Sequence, residues 1–356
     1  MSGASSRGTR LEVGILGATG MVGQQFVRLL AGHPWFETAW LAASERSEGL
    51  RFAEASQWRL TPAPPGEVAE MRLEAASPGR GPKLVFSGLD AAAANDIEPA
   101  FAAAGHVVIS NARSFRMDPS VPLLIPEVNP DHLALIPAQR RERGWPGVIV
   151  TNPNCSTVIL SMVLAPLRVF GLSRAAVTTL QAVSGAGYPG VASLDILGNV
   201  IPAISGEEEK IESETRKILG TLAGGVVSPH PVVVSATATR VPVVDGHTAS
   251  ISIALDARPS PADVQAAVAS FRGRPQELRL PSAPQSPMVC VEDANRPQPA
   301  LDVHRGSGMT VTVGRVRACP VLGVKLVALG HNTIRGAAGA AILNAELMMA
   351  EGVLDG

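Results

Sequence analysis

The 356-residue sequence predicts an α/β chain in two parts, a parallel sheet between helices followed by an α+β part on a mixed sheet. Three observations carry this. Up to Gly147, short apolar runs alternate with helical spacing. Beyond it, strands alternate inward and outward with longer connections. The length is also about twice that of a usual single domain.

In order, Leu11–Leu16 reads as a buried strand that opens into a glycine-rich turn. Met21–Ala31 follows with Met21, Val22, Phe26, Leu29 and Leu30 on one helical face. Thr38–Ala43, Lys83–Ser87 and His106–Ser110 are further strands, the last two flanking an alanine-rich helix at Ala91–Ala104. Such alternation implies parallel strands joined by right-handed crossovers. Val148–Val150 closes the first part, and Asn152-Pro153-Asn154 breaks it. Val177–Val183, Thr248–Leu255 and Thr310–Arg317 alternate as strands of a mixed sheet, and Gly336–Met349 returns to helix. The expected boundaries are 1–152 and 153–331, with a helix in 332–356 packing back onto the first part. Pro281–Pro299 reads as a loop, a lid or an oligomer contact.

Composition removes several function classes. Lys plus Arg number 30 against 31 Asp plus Glu, too balanced for a nucleic-acid-tracking surface. Met1–Arg10 is polar, without the apolar core of a leader, and no stretch is long and apolar enough to span a membrane. The expected compartment is the cytoplasm. Three cysteines without CxxC or CxxH pairing argue against a disulfide scaffold and against a metal site.

Gly17-Ala18-Thr19-Gly20-Met21-Val22-Gly23 stands between a strand and a helix. The first glycine permits the turn, the second lets backbone approach a pyrophosphate, and the third lets helix and strand pack closely. In that context the turn points to an N-terminal Rossmann-type dinucleotide-binding domain. After the second strand come Ser44, Glu45, Arg46 and Ser47. Ser44 and Arg46 can donate to a 2′-phosphate, which favours NADP, with Ser47 beside them. Glu45 turned inward would instead hold the ribose hydroxyls of NAD. The single tyrosine, Tyr188, has alanine four residues later, so the Tyr/Lys pair of short-chain dehydrogenases is missing.

Cys155 is the candidate nucleophile. It lies at a strand-to-helix elbow in Thr151-Asn152-Pro153-Asn154-Cys155-Ser156-Thr157, where a helix N-terminus is expected to lower a thiol pKa. Cys290 and Cys319 sit in strand-like apolar company and read as packing. His33, His132, His230 and His304 read as surface residues.

With Asn-Cys-Ser-Thr in view, the sequence resembles the aspartate-β-semialdehyde dehydrogenases. It is more similar to their archaeal and fungal branch through Ser114-Phe115-Arg116-Met117-Asp118, Pro126-Glu127-Val128-Asn129 and Gly206-Glu207-Glu208-Glu209-Lys210. The resemblance runs from Leu11 to Met349. It implies NADPH-dependent reductive dephosphorylation of an acyl phosphate through a cysteine thioester, with inorganic phosphate released. It also implies a catalytic and dimerisation domain in the second half, hence a homodimer or dimer of dimers.

Residue by residue, Cys155 matches the nucleophile and His247 the acid/base. Gln181 matches a glutamine that orients substrate. Arg240 matches the arginine that binds the α-carboxylate in a bidentate pair. Glu207 matches the carboxylate for the substrate ammonium, with Glu208 able to replace it by one helical step. Lys210 and Arg116 match phosphate-binding residues, Arg113 ranking below Arg116, and Asn111 joins them as a substrate contact. Asn332 is expected to face the nicotinamide. The other residues of the run after Gly206 read as a solvated helix face, Glu207–Leu219. Arg240 and His247, seven apart, would face opposite ways on one strand, so the intervening Pro-Val-Val-Asp-Gly must turn. A malonyl-CoA reductase on the same scaffold is the first competing reading. A non-catalytic NADPH-binding sensor is the competitor from another class. An N-acetylglutamyl-phosphate reductase would leave Glu207 without an ammonium partner.

Overall fold

The computed structural model describes residues 10–354; Met1–Thr9, which bear the leader reading, and Asp355–Gly356 lie outside the described residues. Six strands form the first sheet: β1 (Leu11–Leu16), β2 (Phe36–Ala43), β3 (Glu74–Ala75), β4 (Leu84–Ser87), β5 (Val107–Ser110) and β6 (Val148–Thr151). Their order is β3-β2-β1-β4-β5-β6, and every adjacent pair is parallel. The order reverses between β1 and β4, where an open α/β sheet leaves a crevice at its carboxyl edge. β4, β5 and β6 are buried along their whole length, which is why each reads as an unbroken apolar run.

Helices of eight residues or more are numbered α1 (Met21–Leu30), α2 (Ala91–Ala103), α3 (Ile136–Arg143), α4 (Cys155–Leu164), α5 (Glu207–Ile218), α6 (Pro261–Ser270) and α7 (Gly339–Ala350). Phe26, Val27 and Leu30 of α1 and Ala341, Ile342, Ala345 and Met348 of α7 share one core with Ile15, Phe86 and Ile109. The C-terminal helix thus packs on the first sheet.

The second sheet contains β7 (Leu172–Gln181), β10 (Val233–Arg240), β11 (His247–Leu255), β12 (Met288–Val291), β13 (Val311–Cys319) and β14 (Gly323–Gly330). A separate hairpin joins β8 (Thr221–Ala223) to β9 (Val226–Ser228). The order is β10-β7-β11-β14-β13-β12; the outermost pairs are parallel and the inner ones antiparallel. One face buries Val177, Ile251 and Leu326 under α4, α5 and α6. The other is open along β10, β7 and β11, where Ala176, Thr178, Ser235, Thr237 and Ser250 are exposed.

Several expectations change. The strand read as Val177–Val183 runs over Leu172–Gln181, and Val183 begins a 3-10 turn. The Pro281–Pro299 segment is not all loop: Met288–Val291 is β12, parallel to β13. His33 and His132 are buried rather than at the surface. Two backbone N–H groups donate to His33 Nδ1 while its Nε2 meets Glu346 at 2.7 Å, and His132 Nδ1 meets Asn129. His230 is half-buried, and only His304 of the four is exposed. Among the described residues no helix is long and apolar enough to cross a membrane.

Candidate active site

The glycine turn sits at the carboxyl end of β1. Gly17 has φ +72°, in the left-handed region. A Cβ on Gly23 would lie 2.3 Å from the Gly17 carbonyl oxygen, so only glycine lets α1 start there. At Gly20 a Cβ would meet nothing nearer than 3.4 Å, and Gly20 caps α1 with no side-chain hydrogen bond. The first-turn N–H groups at Met21 and Val22 are therefore free to face an anion, a cradle that fits a dinucleotide pyrophosphate. The Thr19 carbonyl accepts from Gln24, which bonds the loop at Gln57 as well. Ser44, Arg46 and Ser47 lie at the end of β2, Arg46 exposed in the 3-10 turn Glu45–Ser47.

Met21 and Val22 also line a cavity of about 480 Å³ whose far wall holds Asn111, Arg116, Cys155, Gln181, Glu207, Lys210, Arg240 and Asn332. Strand geometry explains the convergence. β10 runs parallel to β7, placing Arg240 opposite Gln181 at their carboxyl ends. β11 runs antiparallel to β7, so its first residue, His247, reaches the same end after the 241–246 turn. A Cβ on Gly185 would lie 2.9 Å from Arg240 Nη1 and from His247 Cε1, so a glycine there lets the loop lie over both. Arg240 Nη1 donates to the Ala182 carbonyl at 2.7 Å.

Cys155 is the first residue of α4, just past β6. Asn154 caps the helix, its Oδ1 accepting from Ser156 N at 2.9 Å and Thr157 N at 3.1 Å. On the other side lies a π turn, Ile334–Ala338. A Cβ on its Gly336 would fall 2.6 Å from Cys155 Cβ. The turn is anchored by Arg335, whose guanidinium makes two 2.7 Å bonds to fully buried Glu127.

The expected activation of the thiol by the helix start is not what the structure shows. Burial, with Glu207 nearby, pushes the Cys155 thiol up to about 12, against the pull of Arg116 and Arg240. The helix start offsets this only in part, through the Ser156 N–H, because Asn154 shares that group and takes the Thr157 N–H as well. His247 is driven down to about 3, by burial first and Arg240 second. Its Nδ1 accepts the Ala182 N–H at 3.0 Å, so the neutral ring carries its proton on Nε2. That nitrogen is buried without a partner among the described residues. The neutral histidine therefore presents its Nε2–H as a hydrogen-bond donor.

α5 contributes more than a solvated face. Glu207 Oε1 accepts from Asn154 Nδ2 at 2.7 Å and Gln181 Nε2 at 3.1 Å, and Oε2 from Lys210 Nζ at 3.0 Å. Burial opposes the Glu207 charge, but Lys210 and the two amides outweigh it and hold the carboxyl below its usual range. Glu208 is engaged elsewhere, accepting the β10 N–H of Ala238 at 2.9 Å. Arg116 is buried; Nη1 donates to Glu214 and Nη2 to the Asn111 carbonyl. Arg113 is exposed at the cavity rim. Asn111 Nδ2 donates to the Ser87 carbonyl, and its Oδ1 accepts from Asn152. Asn332 spends its amide on two loops, accepting from Gly246 N and donating to Ser184 Oγ.

Sequence reasoning passed over Glu214, Lys217, Gly185 and Gly336. For the first two a signal existed: Glu207, Lys210, Glu214 and Lys217 follow the 3-4-3 spacing of one helix face. The two glycines carry no local signal, since what crowds them comes from distant strands.

Comparisons with known proteins agree with this geometry. Residues 12–136 match the NAD binding domain of semialdehyde dehydrogenases, and residues 164–335 their dimerisation domain. Aspartate-semialdehyde dehydrogenase of Archaeoglobus fulgidus is 48% identical over 97% of this chain and 100% of its own. That of Cryptococcus neoformans is 48% identical over 97% and 98%. The crystal structure of the Candida albicans enzyme with NADP superposes at a TM-score of 0.90, with 41% identity over 96% of this chain and 99% of its own. The chain belongs to the aspartate-semialdehyde dehydrogenase family, on the side of its archaeal and fungal members.

Proposed function

We propose that this chain catalyses the NADP-dependent reductive dephosphorylation of L-aspartyl 4-phosphate to L-aspartate 4-semialdehyde, a step of amino-acid biosynthesis. The observation that carries the reading is the convergence of Cys155, Gln181, Arg240, Glu207 and Lys210 on one cavity, with the bare start of α1 on its opposite wall. In this reading Arg240 holds the substrate carboxylate and Glu207 the ammonium, while Gln181 orients the acyl group. Lys210 and Arg116 take the phosphate, with Asn111 fixing Arg116 through its carbonyl. Cys155 Sγ bonds to the acyl carbon as the carbon–oxygen bond to phosphate breaks, and the thiol proton passes to the departing phosphate oxygen. Reduced NADP, when bound, supplies the hydride for the resulting thioester. Gly17, Thr19, Gly20, Met21, Val22 and Gly23 form its pyrophosphate cradle, and Ser44, Arg46 and Ser47 its 2′-phosphate contact. His247 Nε2–H donates a hydrogen bond to the oxygen of the tetrahedral adduct. The adduct collapses to the aldehyde as the carbon–sulfur bond breaks, and the released Cys155 thiolate takes its proton back from water.

The domain division follows the same lines, with a nucleotide part at 1–152, a catalytic and dimerisation part at 153–331, and the final helix on the first. The open face of β10, β7 and β11 is small-residued and uncharged at its centre, with Leu180 and Val233 partly exposed, and suits a second copy of the chain. A dimer or a dimer of dimers, working in the cytoplasm, completes the reading.

The buried Glu207 carboxylate argues against a malonyl donor, which has no ammonium to meet it. The deciding assay is reduction of NADP⁺ by purified protein. Phosphate plus aspartate semialdehyde should support turnover, and malonate semialdehyde plus CoA should not. The reverse pattern overturns the proposal.

A further inference from the structure

One buried carboxylate outside the proposed reaction machinery touches two of its parts. Glu214 stands seven residues after Glu207 on α5 and is 2% exposed. Its Oε2 accepts the backbone N–H of Asn154, the residue before Cys155, at 2.6 Å. Its Oε1 accepts from Arg116 Nη1 at 3.0 Å. The two ends of one carboxylate thus join the nucleophile elbow to the phosphate arginine.

The surroundings leave each end little freedom. Asn154 is also held through its side chain, by the α4 cap and by Glu207. Arg116 begins a segment whose carbonyls at Arg116, Asp118 and Val121 all accept from Lys217 Nζ, one turn further along α5. Its Nη2 is used by the Asn111 carbonyl, whereas its Nε–H is buried with no partner among the described residues. A buried donor without a partner is costly, so the Nε edge of Arg116 is where an incoming anion gains most. Where that edge points depends on Nη1, and Nη1 is set by Glu214.

We propose that Glu214 is a positioning residue that fixes the phosphate-binding edge of Arg116 relative to Cys155, through one carboxylate shared between Arg116 and the Asn154 backbone. It touches neither substrate nor reacting atoms. Its role is to keep the phosphate subsite and the attacking sulfur at one separation, the kind of alignment on which near-attack geometry depends. The inference rests on the function proposed above.

Glu214→Gln tests it. The amide keeps the size of the side chain but offers one acceptor where two donors converge. The backbone N–H of Asn154 cannot move away, whereas the Arg116 side chain can, so Arg116 should be the group that shifts. With inorganic phosphate as the varied substrate of NADP⁺ reduction, KM for phosphate should rise roughly tenfold or more, the worth of one charge-assisted hydrogen bond. KM for NADP⁺ and for the semialdehyde should stay within about twofold. In an Arg116→Ala background the same substitution should raise phosphate KM no further, because a residue acting through Arg116 loses its effect with it. Glu214→Asp, which keeps the charge but spans only one donor, should also raise phosphate KM, and covers the case of a Gln variant that does not fold. Exposed Glu209→Gln on the same helix should match wild type.

Three Michaelis constants rising together, additivity with Arg116→Ala, or unchanged phosphate KM in both Glu214 variants would each overturn the assignment. Wild-type protein without phosphate-dependent turnover would sink the functional reading instead, which keeps the two failures apart.

Discussion

Two ten-residue helices of this chain start just past parallel strands of the same sheet, and their first turns are finished in opposite ways. α1 follows β1 through a turn that ends on Gly20, with no side chain at the cap. α4 follows β6 through Asn154, whose side chain takes two of the helix N–H groups, while Glu207 and Glu214 close around the cap residue. The first helix leaves its positive end for a ligand, and the second satisfies that end from within. A helix N-terminus therefore does not by itself activate a thiol; what matters is whether its donors remain free. In α4 they are shared with Asn154, so the Ser156 N–H pulls only weakly, and the thiol is held up near 12 by burial and Glu207.

Chemistry and cofactor binding should accordingly separate between the two helix starts. Cys155→Ala should lower turnover by about 10⁴-fold or more, the usual cost of losing a nucleophile, while NADPH affinity from fluorescence titration stays within about twofold of wild type. Residual activity near wild type would dissolve the distinction at its chemical end. Gly23→Ala attacks the other helix. Its Cβ would stand 2.3 Å from one carbonyl oxygen and 2.5 Å from the next, so the turn must open, at about 1–3 kcal/mol of stability. NADPH affinity should fall more than about tenfold, measurable by the same titration. Alkylation of Cys155 in the free protein should keep its wild-type rate, and a shared loss would mean that the two starts are coupled.

The contrast was only half legible in the sequence. The α1 turn could be read because glycine spacing, a preceding apolar run and a following helical face all lie within twenty residues. The α4 elbow showed its cysteine for the same reason, yet the thiol shift was misjudged, because its causes are enclosure and a carboxylate on a distant helix. Glu214 and Lys217 were passed over since buried charges look locally like surface ones; only their spacing with Glu207 and Lys210 marks them. His33 was misplaced for a related reason, as its partner Glu346 emerges only on folding, whereas the partner of His132, Asn129, stands three residues before it and only the enclosure of the ring is non-local. β10 and β14 were not delimited. In β10 the inward Ala236 and Ala238 differ little in polarity from the outward Ser235 and Thr237, so the alternation has almost no contrast.

A narrower test concerns the adenosine end of the α1 site. Arg46 is exposed beyond β2 and forms no hydrogen bond with another described residue, so it is available to a 2′-phosphate. Arg46→Ala should weaken NADPH by about tenfold to a hundredfold, as expected for a charge-assisted phosphate contact, and leave NADH almost unchanged. Equal weakening of both would move the residue out of the 2′-phosphate contact. Cys155 alkylation should be indifferent to this change.

The smallest expected effect addresses the comparison most directly. Asn154→Ala removes the cap of α4 and makes its start resemble that of α1. Stability should drop by about 1 kcal/mol, the usual cost of an N-cap side chain. The thiol should respond in the opposite sense. With the Thr157 N–H released and the Ser156 N–H no longer shared, a thiolate at Cys155 gains donor strength that Asn154 had taken. A group whose charged form is the deprotonated one then ionises at lower pH. In the wild-type protein the rate of alkylation by iodoacetamide should climb with pH without levelling below pH 10, as a thiol near 12 requires. In the variant the same profile should move down by about one pH unit, which corresponds to the 0.3–2 kcal/mol range of helix-end interactions. Glu207 keeps Lys210 and Gln181, so its charge still opposes the thiolate and limits the shift. A profile that stays in place while stability falls would show that burial alone sets the thiol, and that the two helix starts differ in accessibility rather than in their free donors.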